Sequence, residues 1–172
     1  FSLQLFAHEH GVNENITPYN DAQEAKAGFK VQHLKKHPAW QSFISTHADW
    51  GARFNRYTKL PHRALGTPFS YGSGNQDLVA KSLDFISSEF GAFEIPTQNL
   101  IATRSFNDGK YINVNFKQIH QSMEVLWSDV SVRYAQNKQI VMFGFDAHTA
   151  IPNSLPVILT AAQAQQKAED AL

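Results

Sequence analysis

A helix-period segment, followed at once by a strand, a tight-turn tripeptide and another strand, restricts this chain more than any other feature of its sequence. Leu78, Val79, Leu83, Ile86 and Phe90 repeat on one side of a 3.6-residue period. Asn75 stands where a side-chain oxygen can accept from the free backbone donors of a first turn, and Gly91 stands where a left-handed stop is expected. Leu100 to Phe106 then runs into Asn107-Asp108-Gly109, whose residues tolerate the positive φ of a hairpin turn. Beyond it, Ile112, Val114 and Phe116 alternate with Asn113, Asn115 and Lys117, the period of a strand wet on one side. Leu126, Val130, Val132 and Tyr134 continue as a third strand, and Asn137 turns the chain into a fourth, Gln139 to Phe145. The expected class is α+β, a helix packed on an antiparallel β-meander in the cystatin-like manner.

The segments on either side are less regular. Leu3 and Leu5, with Phe6, suggest a short strand, Asp21 to His37 an irregular helix, and Pro38 the first residue of a short helix carrying Trp40, Phe43 and Ile44. Ala48 to Leu65 reads as short extended pieces broken by Pro61, and Gly66 to Gly74 as a loop. Pro152 and Pro156 mark an extended linker, after which Thr160-Ala-Ala-Gln163 forms a capping box. The small-residue helix that follows carries Ala164, Ala168 and Leu172 on one face. The organisation expected is an N-terminal extension, 1–47, a main domain, 48–149, a linker, 150–158, and the first helix of a further module, 159–172.

Composition narrows the function. The 172 residues contain 15 basic and 15 acidic side chains, and this balance argues against nucleic acid or an anionic membrane as the main partner. Cysteine is absent, so thiolate chemistry is excluded within the chain. No apolar run reaches the length of a membrane span, about 20 residues. The start at Phe1 suggests a processed piece, without the basic start and cleavage region of a signal peptide.

A zinc hydrolase would need His-Glu-x-x-His, and His8-Glu9-His10 places its residues wrongly because Val12 stands where the second ligand belongs. His33 and His37 have metal-ligand spacing on a helix, but Lys35 and Lys36 between them favour a solvated basic face. Gly72-Ser73-Gly74 lacks the lysine and preceding strand of a phosphate loop and reads as a connector. His120 is expected as a packed or hydrogen-bonded histidine. Trp50, Phe54 and Tyr57 near Arg53, Arg56 and Arg63 could stack on nucleic acid, yet are better read as core aromatics beside ion-paired arginines. Asn15-Ile-Thr17 is a glycosylation sequon in a eukaryotic context. No catalytic, metal-binding or cofactor-binding residue is assigned.

Two blocks carry a family resemblance. The first is WGARFNRYTKLPHRALG, Trp50 to Gly66, with Trp50, Arg53, Phe54, Asn55, Pro61, Arg63 and Gly66 as its marked positions; the second, KQIHQSMEVLWSDVSVRY, contributes Gln118 and Val125. These residues resemble the FTP domain, the fungalysin/thermolysin propeptide module of secreted thermolysin-like metallopeptidase precursors. In the second block His120 replaces an aromatic, Ser122 a glycine, Glu124 a proline, and Trp127-Ser128 a Phe-Gly pair. The helix from Thr160 is similar to the start of the PepSY module that follows in such precursors. The resemblance implies a noncatalytic prodomain, secreted or periplasmic, acting as intramolecular chaperone and latency element of a peptidase. Zinc would belong only to that partner peptidase. The alternative is a stand-alone extracellular binding or peptidase-inhibitor module with the same fold.

Overall fold

The computed structural model describes residues 31–152 and 160–170. The expected strand at Leu3, the His8-Glu9-His10 cluster, the sequon at Asn15 and most of the helix from Asp21 lie outside them.

Antiparallel strands make one twisted sheet, with two helices packed on one face. In chain order the elements are α1 (Pro38–Thr46), β1 (Gly51–Phe54), β2 (Pro61–Phe69), α2 (Leu78–Phe90), β3 (Leu100–Asn107), β4 (Tyr111–His120), β5 (Met123–Glu124), β6 (Asp129–Ala135), β7 (Ile140–Asp146) and α3 (Ala161–Glu169). The sheet order is β1-β2-β7-β6-β4-β3, with the short β5 paired to β4. The expected meander is present as β3, β4, β6 and β7, and the β1–β2 hairpin docks beside β7.

Alternation sorts the sheet into two faces. Val114, Phe116, Val130, Val132, Tyr134, Phe143 and Phe145 point inward and are buried with Phe85, Ile86 and Phe90 of α2. Trp40 and Phe43 of α1 and Leu34 before it belong to this same core. Residues expected as an N-terminal extension therefore help to close the main domain. Phe143 joins the sheet to both helices: its ring centroid lies 5.0 Å from Phe90, 5.3 Å from Phe85 and 5.4 Å from Phe43. Offset and edge-on pairs of this kind contribute about 0.5–1.5 kcal/mol each beyond their buried area.

Several local expectations are corrected. Asp77, not Asn75, caps α2, its carboxylate accepting from the N–H groups of Val79 and Ala80 at 3.0 Å each. Both are good capping residues, and the one adjoining the first helical turn takes the position. Gly91 is right-handed, φ −54°, because the chain runs on into a 3-10 turn, Gly91–Phe93; the left-handed residue is Glu94. Pro61 opens β2 rather than interrupting an extended piece, and β2 runs on through Gly66 and Pro68. The β2–β7 register shifts between Leu65 and Phe69, so Pro68 falls where the ladder is already irregular. Leu126 lies ahead of the third strand and is exposed. His37 sits after a 3-10 turn, Val31–Lys36, and caps α1 by accepting from the N–H of Ala39 while stacking on Phe93. The capping box at Thr160 is present, with Gln163 reciprocating.

Candidate functional site

The Trp50–Gly66 block splits between the two sheet faces. Trp50 is 5% exposed, its ring lies stacked 5.3 Å from Phe143, and its Nε1 donates to the carbonyl of Thr67 at 2.9 Å. Gly66 is required beneath it: a Cβ there would stand 2.5 Å from Trp50 Cγ and 2.7 Å from Nε1. Phe54 is buried edge-on to Trp40. Asn55 organises the turn that joins β1 to β2, because its Oδ1 accepts from the N–H groups of Tyr57 and Thr58. Arg53 and Arg63 are register partners on the open face. Tyr57, expected in the core, is 75% exposed, and Arg56 lies over its ring.

The open face is ordered in rows. Leu65, Met142, Arg133, Asn113 and Phe106 are successive register partners across it. Ser131 stands between Gly144 and Asn115, and Asp129 stands opposite Asp146. A bulge between Ala102 and Ser105 reverses the alternation of β3, so Ile101 and Phe106 share this face opposite Lys117 and Asn113.

A depression of about 80 Å³ lies in this face, lined by His62, Arg63, Asp129, Ser131, Met142, Phe143, Gly144 and Asp146. Its fixed point is the Asp146 carboxylate. Asn55 Nδ2 donates to one oxygen at 2.7 Å, and His62 Nδ1 lies 2.6 Å from the other. A carboxylate that orients an imidazole, with a serine in the same depression, has the residue types of an acyl-transfer triad. Ser131, however, stands in the middle of β6 within a continuous ladder, and α2, whose N-terminus could supply oxyanion donors, packs on the opposite face. The cluster is better understood as the tie that fixes the Asn55 turn to β7, supported by the close approach of Gly144 to the His62 carbonyl, which a side chain would block. Among the described residues no group of three or more His, Asp or Glu is placed to hold a metal ion.

The second block surrounds the exit from the sheet. Gln118 is buried and grips His148 from both sides, Nε2 donating to its carbonyl and Oε1 accepting its N–H, each at 2.8 Å. His120, half-buried, is hydrogen-bonded to the carbonyl of Pro152 at 3.1 Å. The end of β4 thereby clamps the segment that leaves β7. Val125 donates its N–H to the carbonyl of Gln118, and its own carbonyl accepts from the Ser128 hydroxyl at 2.7 Å. Ser128 Oγ also accepts the N–H of Gln118 at 3.1 Å.

These bonds hold an apolar apex away from the body. Met123 and Leu126 are exposed, and Trp127 is 90% exposed with φ 64°. Ser122, where the resembling family has glycine, has φ 65°. Left-handed backbone at a non-glycine residue costs about 1–2 kcal/mol and persists only where the surroundings impose it. The apex is the functional candidate that residue patterns missed; an unpaired Leu-Trp between strand and turn residues was its only signal.

Comparison of the chain with protein families, with curated proteins and with solved structures found no match. No helix among the described residues is long and apolar enough to cross a membrane.

Proposed function

We propose that the chain is a noncatalytic prodomain that assists the folding of a secreted or periplasmic thermolysin-like zinc peptidase and holds it latent. The observation that carries this reading is that both motif blocks act as architecture, Trp50 seated on Gly66 and Gln118 clamped on His148. Residues so used create a rigid body, and the body presents a binding surface: the Met123, Leu126 and Trp127 apex. A surface of this kind that binds the native peptidase better than its unfolded chain stabilises the native form by linkage. Exposed aromatic anchors are the side chains that dominate such contacts. The clamp at His148 and Pro152 also fixes the segment that follows β7 against the end of β4.

The test is genetic and then biochemical. The gene is expected to encode a peptidase domain with a His-Glu-x-x-His helix. That domain, denatured and diluted, should recover activity with residues 1–172 supplied in cis or in trans, and far less without them. An open reading frame with no peptidase, or equal recovery in the absence of the chain, refutes the proposal. The exposed apex equally suits a stand-alone peptidase-inhibitor module, which a short gene and saturable binding to a separate peptidase would identify.

A further inference from the structure

β3 ends the sheet on one side, and among the described residues no strand pairs with its outer edge. It has eight residues, and every one from Ile101 to Asn107 is exposed. A row of open backbone donors and acceptors this long is a template for another chain unless something covers or spoils it. Two features spoil it here. The bulge between Ala102 and Ser105 breaks the register, and it is held from the inner side: Thr103 Oγ1 donates to the carbonyl of Asn115, and Asn115 Nδ2 donates to that of Arg104, each at 3.3 Å. Arg104 adds a charge at mid-strand, so two copies of β3 laid antiparallel about their centres would bring like charges together.

The same edge carries an attractive surface. The bulge sets Ile101 and Phe106 on the open face, 55% and 48% exposed. The Arg104 guanidinium lies over the Phe106 ring at 5.7 Å from its centroid. Tyr111 faces the same way, two positions before the Asn113 that pairs with Phe106, and Lys110 and Arg133 lie at 5.2 Å and 5.7 Å from its ring centroid. Lys117, opposite Ile101, is ion-paired with Glu124 at 3.5 Å. Arg104, Lys110 and Arg133 have no such partner among the described residues. The carboxylate of Asp108 is engaged in its own turn, accepting from the N–H groups of Tyr111 and Lys110 at 2.6 Å and 2.9 Å. In a chain whose charges balance, one end of the open face is therefore left with three uncompensated cations beside an open strand edge.

We infer that the outer edge of β3 receives an extended acidic segment of a partner protein, added to the sheet as a further strand. The backbone ladder supplies affinity, and alternate side chains of the added strand lie over the open face. Carboxylates there compensate Arg104, Lys110 and Arg133, and apolar neighbours cover Ile101 and Phe106. A second copy of β3 brings another arginine instead of a carboxylate, and a polynucleotide offers no strand to pair. The inference stands apart from the prodomain reading, whose contact is the Met123 apex.

The probe is an octapeptide of alternating valine and glutamate added to the full chain, with alternating valine and lysine as control. Saturable binding of the acidic peptide alone is expected, and it should slow hydrogen exchange of outward β3 amides by at least about tenfold. N-methylation of the valines removes the donors of one peptide edge, and N-methylation of the glutamates those of the other. One of the two should abolish binding. Arg104→Glu, at an exposed position, should weaken it by at least about tenfold. Unprotected β3 amides, unchanged affinity for both N-methylated peptides, or unchanged affinity in Arg104→Glu overturns the inference. So does tighter binding of an oligothymidylate, or a peptide-free dimer with protected β3 amides, either of which names a different occupant.

Discussion

Gly66→Ala tests the contact on which the first sequence block turns. A methyl group there would meet the Trp50 indole at 2.5 Å from Cγ and 2.7 Å from Nε1. The indole has little room to retreat, because Phe143 stacks on it at 5.3 Å and Phe69 meets it edge-on at 5.3 Å. Overpacking of this kind costs about 1–3 kcal/mol. Displacing the ring would also break the bond from Nε1 to Thr67, worth about 1 kcal/mol. The sum is about 3 kcal/mol, measurable as a shifted urea midpoint with an unchanged slope. Trp50→Ala alone should cost about 3–5 kcal/mol through the cavity it leaves. The two changes act through one contact, so the double variant should be scarcely less stable than Trp50→Ala, with a coupling of about 3 kcal/mol. Additivity within about 0.5 kcal/mol, or a cost below about 1 kcal/mol for Gly66→Ala alone, would refute the packing argument.

Three further outcomes are expected. Gln118→Leu leaves the His148 N–H and carbonyl without their buried partners and should cost about 2–4 kcal/mol; hydrogen exchange at His148 should quicken by more than in the sheet centre. Burial pushes the Tyr134 hydroxyl up to about 12, while it is hydrogen-bonded to Ser82, so the folded state favours the neutral phenol. Its contribution is complete below the unfolded value near 10 and is lost as pH rises through about 12; Tyr134→Phe should flatten the decline in stability above pH 10 by about 2–3 kcal/mol, although Tyr71, also raised, keeps part of the slope. Trp127→Gly should stabilise the free chain by about 1 kcal/mol by relieving the left-handed backbone, yet abolish peptidase binding, whereas Trp127→Ala should abolish binding without that gain; undiminished binding in both variants would remove the apex from the proposed contact.

Short-range order was legible in the residues. The period of α2, the Asn107-Asp108-Gly109 turn and the proline at the start of α1 depend on neighbours within a few positions, and each element formed where expected. Apart from the cap at Asp77 and the turn at Gly91, what failed depended on distant partners. Nothing in Pro61 to Phe69 announces that it will lie against β7, and Pro68 suggested a loop because the irregular register that tolerates it is set by Ile140 and Met142. The tie from Asn55 and His62 to Asp146 joins residues 91 and 84 positions apart and has no local signature. Tyr57 resembled a core aromatic by type, but the turn organised by Asn55 carries it outward.

The docking of the β1–β2 hairpin beside β7 also has a consequence for the order in which the protein can be made. Trp50 and Phe43 emerge from the ribosome early, but a ring that packs on both, Phe143, belongs to the last strand of the sheet in chain order. Until that strand is synthesised, the aromatic side of the N-terminal half has no permanent cover. Synthesis at about 5–20 residues per second leaves it bare for several seconds. A cell producing this chain must therefore shield its first half during that interval.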